Sequence, residues 1–245
     1  MIKIFVIGFP HTATTYCYKY LLEKFPRHMG IFEPFNAEVV DWCMELNHTY
    51  HYSEGKVKHH LLHLPPLLIQ LIYENSRWLW DWVDNDKPST EFLGNAWSNV
   101  LTSLDSVTER FIVKDVCAWV RLKEIVELLP RTKFIILVKD KESVFNDFLT
   151  LYRQTLQVKD YRKTHGRWLL GLGLFYRYFY GVENYPRHVD EIVLKRVFDD
   201  VYSRYCNIAS YIETHHKYRD RVKVIVFEKR LQDEYIENAL KQLFK

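Results

Sequence analysis

The sequence predicts an α/β protein in which a mostly parallel β-sheet is flanked by helices. Four short apolar runs are each continuous rather than alternating, as expected for parallel strands that are buried on both faces. Segments with helical periodicity lie between these runs, and such an alternation favours βαβ units. The first run leads into Gly8 and several small hydroxyl side chains, a composition that suits a turn around a phosphate group.

The predicted strands are spread along the whole chain. They are Lys3–Gly8, Arg110–Val113, Lys133–Val138 and Val222–Phe227, with a shorter fifth strand at Gly30–Glu33. The first predicted helix carries an apolar stripe at positions i, i+3, i+4 and i+7, from Tyr18 to Phe25, and ends before Pro26. Similar patterns predict helices at Arg121–Leu129, Ser143–Arg153, Val197–Tyr211 and Ile236–Phe244.

Residues 1–245 are predicted to form a single domain, because the length suits one domain and no linker interrupts the chain. Two stretches, at about 36–99 and 154–191, depart from the alternation and are rich in His, Trp and Tyr. We predict that they are helical insertions that cap the sheet and form the substrate side of the site. Their Trp and Tyr clusters, at 78–82 and 175–180, suit core packing or an aromatic acceptor pocket.

Composition narrows the possible partners. The net charge of +3 is too small to indicate a nucleic acid partner, but it suits a small anionic ligand. The four cysteines form no CxxC pair, so neither a zinc site nor a disulfide framework is expected. The chain shows no signal peptide and no apolar stretch long enough to span a bilayer, so we expect a cytoplasmic protein without a membrane partner.

The segment Gly8-Phe9-Pro10-His11-Thr12-Ala13-Thr14-Thr15 lies between the first strand and the first helix. At such a position, backbone N–H groups and the positive end of the helix dipole can surround an anion. A plain strand–helix turn with a threonine cap is the alternative interpretation. A Walker A loop also requires a lysine for the terminal phosphates, and this segment contains none.

This segment resembles the 5′-phosphosulfate loop of sulfotransferases that use 3′-phosphoadenosine 5′-phosphosulfate (PAPS). The pattern of that loop is Gly-x-Pro-Arg/Lys-Ser/Thr-Gly-Thr-Thr, and the matching residues are Gly8, Pro10, Thr12, Thr14 and Thr15. His11 replaces the Arg or Lys of the family, and Ala13 replaces its second Gly. The resemblance implies a P-loop NTPase-like fold and a PAPS-binding loop at Gly8–Thr15. In that loop His11 would neutralise the transferring group only when it is protonated.

A second region, Phe111–Phe148, resembles the part of these sulfotransferases that holds the 3′-phosphate. There the family has Arg-Asp-Pro-x-x-x-x-x-Ser, and its Arg and Ser contact the phosphate. Lys139 occupies the position of the Arg, and Asp147 occupies the position of the Ser. A carboxylate would therefore face the 3′-phosphate. Lys139 and Ser143 are therefore the predicted 3′-phosphate ligands, and a solvated charged loop is the alternative. Arg221–Phe244 resembles the late strand and helix of the family.

Sulfuryl transfer needs a base to accept the acceptor's proton and positive charge near the leaving phosphate. By resemblance, Glu33 at the end of the short strand is the predicted base, and a structural carboxylate is the alternative. Lys114, at the end of the second main strand, is the predicted replacement for the charge that is missing at His11. His59, His60 and His63 lack the Glu and the third ligand of a zincin, so no metal is predicted.

Three functions remain open from the sequence. The first is transfer of a sulfuryl group from PAPS to a hydroxyl or amine of a small-molecule or carbohydrate acceptor. The second is a non-catalytic binding or structural protein in which the nucleotide site has decayed. The third is a P-loop kinase, against which the missing Walker lysine argues. The sequence does not indicate an oligomeric state.

Overall fold

The computed structural model describes residues 3–34, 36, 39–41, 44, 49–52, 55–76, 95–107, 110–156 and 190–245. Its strands are β1 (Lys3–Gly8), β2 (Met29–Phe32), β3 (Thr49–Tyr52), β4 (Gly55–Lys58), β5 (Phe111–Asp115), β6 (Lys133–Lys139) and β7 (Val222–Phe227). Its α-helices are α1 (Thr14–Lys24), α2 (Pro66–Ser76), α3 (Asn95–Val107), α4 (Leu122–Leu128), α5 (Lys141–Leu156), α6 (Glu191–Thr214) and α7 (Asp233–Leu243). Short 3-10 helices cover Leu61–His63 and Ala118–Arg121.

Five strands form one parallel sheet in the order β2-β5-β1-β6-β7. β1 lies in the centre, pairing with β5 on one side and with β6 on the other, and every residue of β1 is buried. Helices flank this sheet, with α1 against β1 and β5, and α6 and α7 against β7. The predicted α/β fold of P-loop NTPase-like type is therefore confirmed, and the loop that follows β1 leaves the sheet at its centre.

The sheet is protected at the outer side of β7. The backbone N–H of Val222 donates to Tyr218 O at 3.0 Å, and the N–H of Val224 donates to the Glu213 carboxylate at 2.8 Å. An edge strand with free N–H groups can pair with another chain, so these two acceptors reduce that hazard. Within the described part of the chain, no helix combines the length and the apolar character that crossing a bilayer requires.

The first predicted insertion is not entirely helical. Residues Thr49–Tyr52 and Gly55–Lys58 pair as a two-stranded antiparallel hairpin, and helices α2 and α3 follow it. The pairing of the two segments stabilises the extended structure, because each strand provides the hydrogen-bond partners of the other. Most of the second predicted insertion, together with both Trp and Tyr clusters, lies outside the described residues.

Candidate functional site

The loop after β1 is shaped by a close approach of two side chains to Gly8. A Cβ atom at this position would lie 2.3 Å from Thr12 Oγ1 and 2.4 Å from Thr14 Cγ2, so a larger residue would force the loop to move. The Thr12 hydroxyl donates to Phe9 O at 2.6 Å and is fully buried. The predicted loop is thus tightly folded, and Thr12 contributes its hydroxyl to the fold of the loop itself.

His11 and Ala13 both have left-handed backbone conformations, with φ of 67° and 57°. This conformation is uncommon for residues other than glycine, and it is concentrated at functional sites, where the surrounding structure enforces it. Glycine adopts this conformation at little cost, and Ala13 lies where the resembling pattern has its second glycine. Thr14 and Thr15, both buried, follow at once as the first residues of α1.

Phe9 anchors the loop in the core, which the sequence analysis did not foresee. Its ring is fully buried and lies within 6.0 Å, centroid to centroid, of five aromatic rings: Trp119, Phe148, Phe198, Tyr202 and Tyr205. The His11 ring packs edge-on against Phe148 at 5.0 Å. The high aromatic content of the chain was the available signal, but only the tertiary contacts assign these rings to the loop.

The predicted 3′-phosphate residues already have partners within the chain. Lys139, at the end of β6, donates to Asp147 Oδ2 at 2.9 Å, and its side chain is 14% exposed. Ser143 donates both its backbone N–H, at 2.9 Å, and its hydroxyl, at 3.0 Å, to Asp140 Oδ2. These two bonds, the backbone one first, lower the pKa of Asp140, which caps the first turn of α5.

Lys141, which lies beside the same strand end, faces Asp199 at 3.2 Å. Each lysine in this region therefore has a carboxylate partner on a neighbouring turn or helix. A carboxylate at Asp147 is expected to repel a 3′-phosphate that binds Lys139. The structure adds that this carboxylate forms an ion pair with the residue that would bind the phosphate.

On the other side of β1, Glu33 and Lys114 form a buried ion pair. The Lys114 ammonium group bonds to Glu33 Oε1, and each side chain is no more than 2% exposed. Lys114 Nζ also lies 4.4 Å from the centre of the Phe32 ring. Glu33 has a φ of 42°, and its N–H donates to Lys114 O at 2.7 Å, which extends the pairing of β2 with β5 by one residue.

Two further polar residues belong to this cluster, and sequence reasoning missed both. Asn36 Nδ2 donates to Glu33 Oε2 at 2.8 Å. Asp115 is buried and accepts the backbone N–H groups of Cys117 and Ala118 at 2.7 and 2.9 Å. Burial first, and then the negative charge of Glu33, raise the pKa of Asp115 to about 7. The Lys-Asp pair at the end of β5 was the sequence signal for Asp115.

The register of the sheet brings these groups to one edge. Ile7 pairs with Asp115 and Gly8 with Leu137, so β1, β5 and β6 end at nearly the same level. Glu33 continues β2, which is two strands away from β1, or roughly 10 Å at the usual strand spacing. The loop therefore lies between a carboxylate–lysine pair on one side and Lys139 on the other. Such an arrangement can hold an anion next to a group that accepts a proton.

The histidines of the first insertion do not lie together on one helix. His59 and His60 precede the 3-10 helix that includes His63, so they do not share a helix. His60 instead covers the outer edge of β2, because its N–H donates to Gly30 O at 2.7 Å and its Nδ1 accepts from Gly30 N at 2.8 Å. Over the described residues, no three His, Cys, Asp or Glu side chains group in a way that could hold a metal ion.

Two solved structures and one family model are similar to this chain. The chain is similar to a solved shikimate kinase from Acinetobacter baumannii, with 12% identity, a TM-score of 0.45, and coverage of 99% of this chain and 91% of that chain. A shikimate kinase from Bacteroides thetaiotaomicron gives 11% identity, a TM-score of 0.42, and coverage of 99% and 96%. No curated protein sequence matches the chain significantly. Residues 3–199 match the model of the Sulfotransferase family, and the chain therefore belongs to this family.

Proposed function

We propose that this protein transfers a sulfuryl group from PAPS to a hydroxyl or amine of a small-molecule or carbohydrate acceptor in the cytoplasm. One observation carries the proposal: the strained loop after β1 and the buried Glu33–Lys114 pair lie at the same edge of the sheet. Together they supply an anion-binding turn and a carboxylate, which are the two elements that sulfuryl transfer requires.

In the proposed mechanism, the N-terminus of α1 and backbone N–H groups of the Gly8–Thr15 loop hold the 5′-phosphosulfate. Pro10 has no N–H to offer, and the N–H of Thr12 donates to Phe9 O at 3.2 Å. His11 is the only side chain of this loop that can become positive. In its protonated form it would offset charge on the transferring group and the leaving phosphate. PAPS supplies the sulfuryl group, and the residues of the chain position it.

Glu33 is the proposed base, and the Lys114 ammonium group forms an ion pair with it. The ion pair also fixes the direction of the Glu33 side chain. The charge of Lys114 is consequently offset by Glu33, so the cleft depends on His11 more than the sequence analysis expected.

A second candidate is a non-catalytic member of the family, and the Lys139–Asp147 ion pair favours it. With Asp147 in the place of the 3′-phosphate, a nucleotide must separate this pair before Lys139 can bind it. A family member that no longer binds PAPS would tolerate the Lys139–Asp147 ion pair.

Calorimetric titration with 3′,5′-adenosine bisphosphate and with AMP tests the proposal. We expect the bisphosphate to bind at least about tenfold more tightly to wild type, because Lys139 adds a charge-assisted contact. Asp147→Ser should widen this preference, whereas Asp220→Asn, which removes a charge at the opposite end of the sheet, should not. Equal or absent binding of both nucleotides to wild type and to Asp147→Ser would overturn the PAPS assignment and leave the non-catalytic candidate.

Transfer itself is measured with radiolabelled PAPS and a panel of alcohols and amines. Glu33→Gln should abolish transfer while retaining bisphosphate binding, because Glu33 accepts the proton and does not hold the nucleotide. Turnover of ATP with magnesium would instead support the kinase interpretation.

A further inference from the structure

The Glu33 cluster contains a buried acceptor atom without a hydrogen-bond partner. Asn36 Oδ1 is enclosed, and no donor in the described part of the chain reaches it. The orientation of the amide is fixed, because the Asn36 NH₂ group donates to Glu33 Oε2 at 2.8 Å, and a carboxylate could not donate to the oxygen if the amide were reversed. The unpaired atom is therefore the oxygen.

Nearly all buried polar atoms in proteins are hydrogen-bonded, so each exception requires an explanation. Asn36 is 7% exposed and is tied to Glu33 a second time, through its own N–H to Glu33 O at 3.0 Å. Glu33 holds a left-handed φ of 42° in the same turn. Strain and an unsatisfied acceptor thus coincide beside the proposed base, as expected where a ligand completes the structure.

The charges of the Glu33 cluster also favour a bound ligand. Glu33 and Asp115 are two buried carboxylates, and Lys114 forms an ion pair with Glu33. The pKa of Asp115 is raised to about 7, first by burial and then by the charge of Glu33. A ligand that brings positive charge and N–H donors fits this environment better than a neutral one.

We propose that Asn36 and Glu33 form the acceptor subsite, and that the acceptor is a primary amine rather than an alcohol. This inference rests on the proposed function. A primary ammonium group can donate one N–H to Asn36 Oδ1 and a second to Glu33, whereas a hydroxyl group has a single hydrogen to donate. Asn36 is then a residue that determines acceptor specificity.

The corresponding transfer is balanced by two proton losses. The ammonium group gives one proton to the Glu33 carboxylate, and its nitrogen lone pair forms the N–S bond. The bond between sulfur and the phosphate oxygen breaks with its electron pair on the leaving bisphosphate. The second proton leaves the nitrogen to solvent, so the product is a sulfamate.

Binding of matched amine and alcohol pairs tests the inference without relying on turnover. The probes are glucosamine with glucose, phenethylamine with 2-phenylethanol, and hexylamine with hexanol. Each is titrated calorimetrically into the full chain saturated with 3′,5′-adenosine bisphosphate. We expect at least one amine to bind wild type tenfold or more tightly than its alcohol, and Asn36→Ala to lose this preference.

Asn207→Ala, at an exposed position of α6, is the matched control and should retain the preference. If Asn36→Ala fails to fold, Asn36→Ser keeps an acceptor oxygen and should show a reduced preference. The inference is overturned if no amine exceeds its alcohol, or if Asn36→Ala binds the amine as wild type does. Bisphosphate binding is measured separately, and the same amines and alcohols are also titrated into the chain without nucleotide. Absent bisphosphate binding would count against the proposed function, whereas the absence of any amine preference in both titrations would overturn the subsite.

Discussion

His11 is the only basic side chain in the segment Gly8–Thr15, and its ring lies edge-on against Phe148. An imidazole with an unperturbed pKa of about 6.5 is positive in mild acid and neutral above pH 8. The resembling pattern has a permanently charged side chain at this position, whereas the charge of a histidine depends on pH.

We predict that bisphosphate affinity falls as pH rises, by about tenfold between pH 5.5 and pH 8.5, because His11 loses its charge-assisted contact. His11→Arg should bind more tightly at pH 8.5 and show a flatter profile. Calorimetry across this range measures both. An equally steep profile in His11→Ala would assign the pH dependence to another group.

Asp115 gives a second pH prediction, this time for stability. Its folded pKa of about 7 lies above the ordinary carboxyl value, so the native state binds a proton that the unfolded state releases. Stability from this group is therefore present in acid and is lost as pH rises towards 7, by up to roughly 1.4 kcal/mol per pH unit. Asp115→Asn should gain stability relative to wild type between pH 4.5 and pH 7.5 in urea unfolding. A constant difference would contradict the raised pKa.

The buried pair makes the stability contributions of Glu33 and Lys114 interdependent. We predict that Lys114→Met destabilises the fold by about 3–5 kcal/mol, because it leaves an uncompensated carboxylate in the interior. Adding Glu33→Gln to Lys114→Met should recover a large part of this loss. Denaturant unfolding of the two single variants and the double variant gives the coupling energy, and strictly additive effects would mean that the pair does not act as a unit.

At the scale of elements, β1, the loop Gly8–Thr15 and α1 form the unit to which the proposed function assigns the anion. Gly8 ends β1, Phe9 fixes the loop among the aromatic rings of α5 and α6, and Ala13 directs the chain into α1. The loop is therefore held from both sides before any ligand arrives.

We predict that Gly8→Ala lowers stability by about 1–3 kcal/mol, because its Cβ would overlap Thr12 Oγ1 and Thr14 Cγ2. It should weaken bisphosphate binding by more than tenfold, since both threonines belong to the loop. Thermal unfolding and calorimetry measure the two effects. Gly55→Ala, in the separate two-stranded hairpin, is the comparison and should leave bisphosphate affinity unchanged.

At the scale of the whole molecule, the sheet extends beyond the family match. The match ends at residue 199, within α6, whereas β7 pairs with β6 along its full length and α7 packs on β7. α7 is also joined to α1, because Tyr16 bonds to Asp233, and Tyr20 and Lys24 bond to Glu237. The C-terminal segment thus supports both the edge of the sheet and α1, the helix that follows the loop after β1.

We predict that truncation after Asp220 prevents cooperative folding, because it exposes the outer side of β6 and removes buried residues of β7 and α7. Circular dichroism during urea unfolding tests this, with full-length Tyr20→Phe as a mild control at the same interface. A truncated chain that unfolds in one sharp transition would show that the matched region folds by itself.

The sequence alone determined the fold class, because continuous apolar runs separated by helical patterns admit few arrangements other than a covered parallel sheet. It placed β1 and β7 to the residue, and it located the loop at Gly8–Thr15. It also identified Glu33, Lys114, Lys139 and Asp147 as residues of interest. These features are local, and local pattern and composition encode them.

Only the tertiary structure decided which groups meet. Several features depend on contacts across the chain and cannot be predicted from the periodicity of the sequence. They are the Glu33–Lys114 and Lys139–Asp147 pairs, the unpaired oxygen of Asn36 and the raised pKa of Asp115. The β3–β4 hairpin replaced part of a predicted helical insertion for the same reason, since partner strands determine extended structure more than propensity does. Burial changes the pKa and the interactions of a side chain, and which side chains are buried is determined only in the folded molecule.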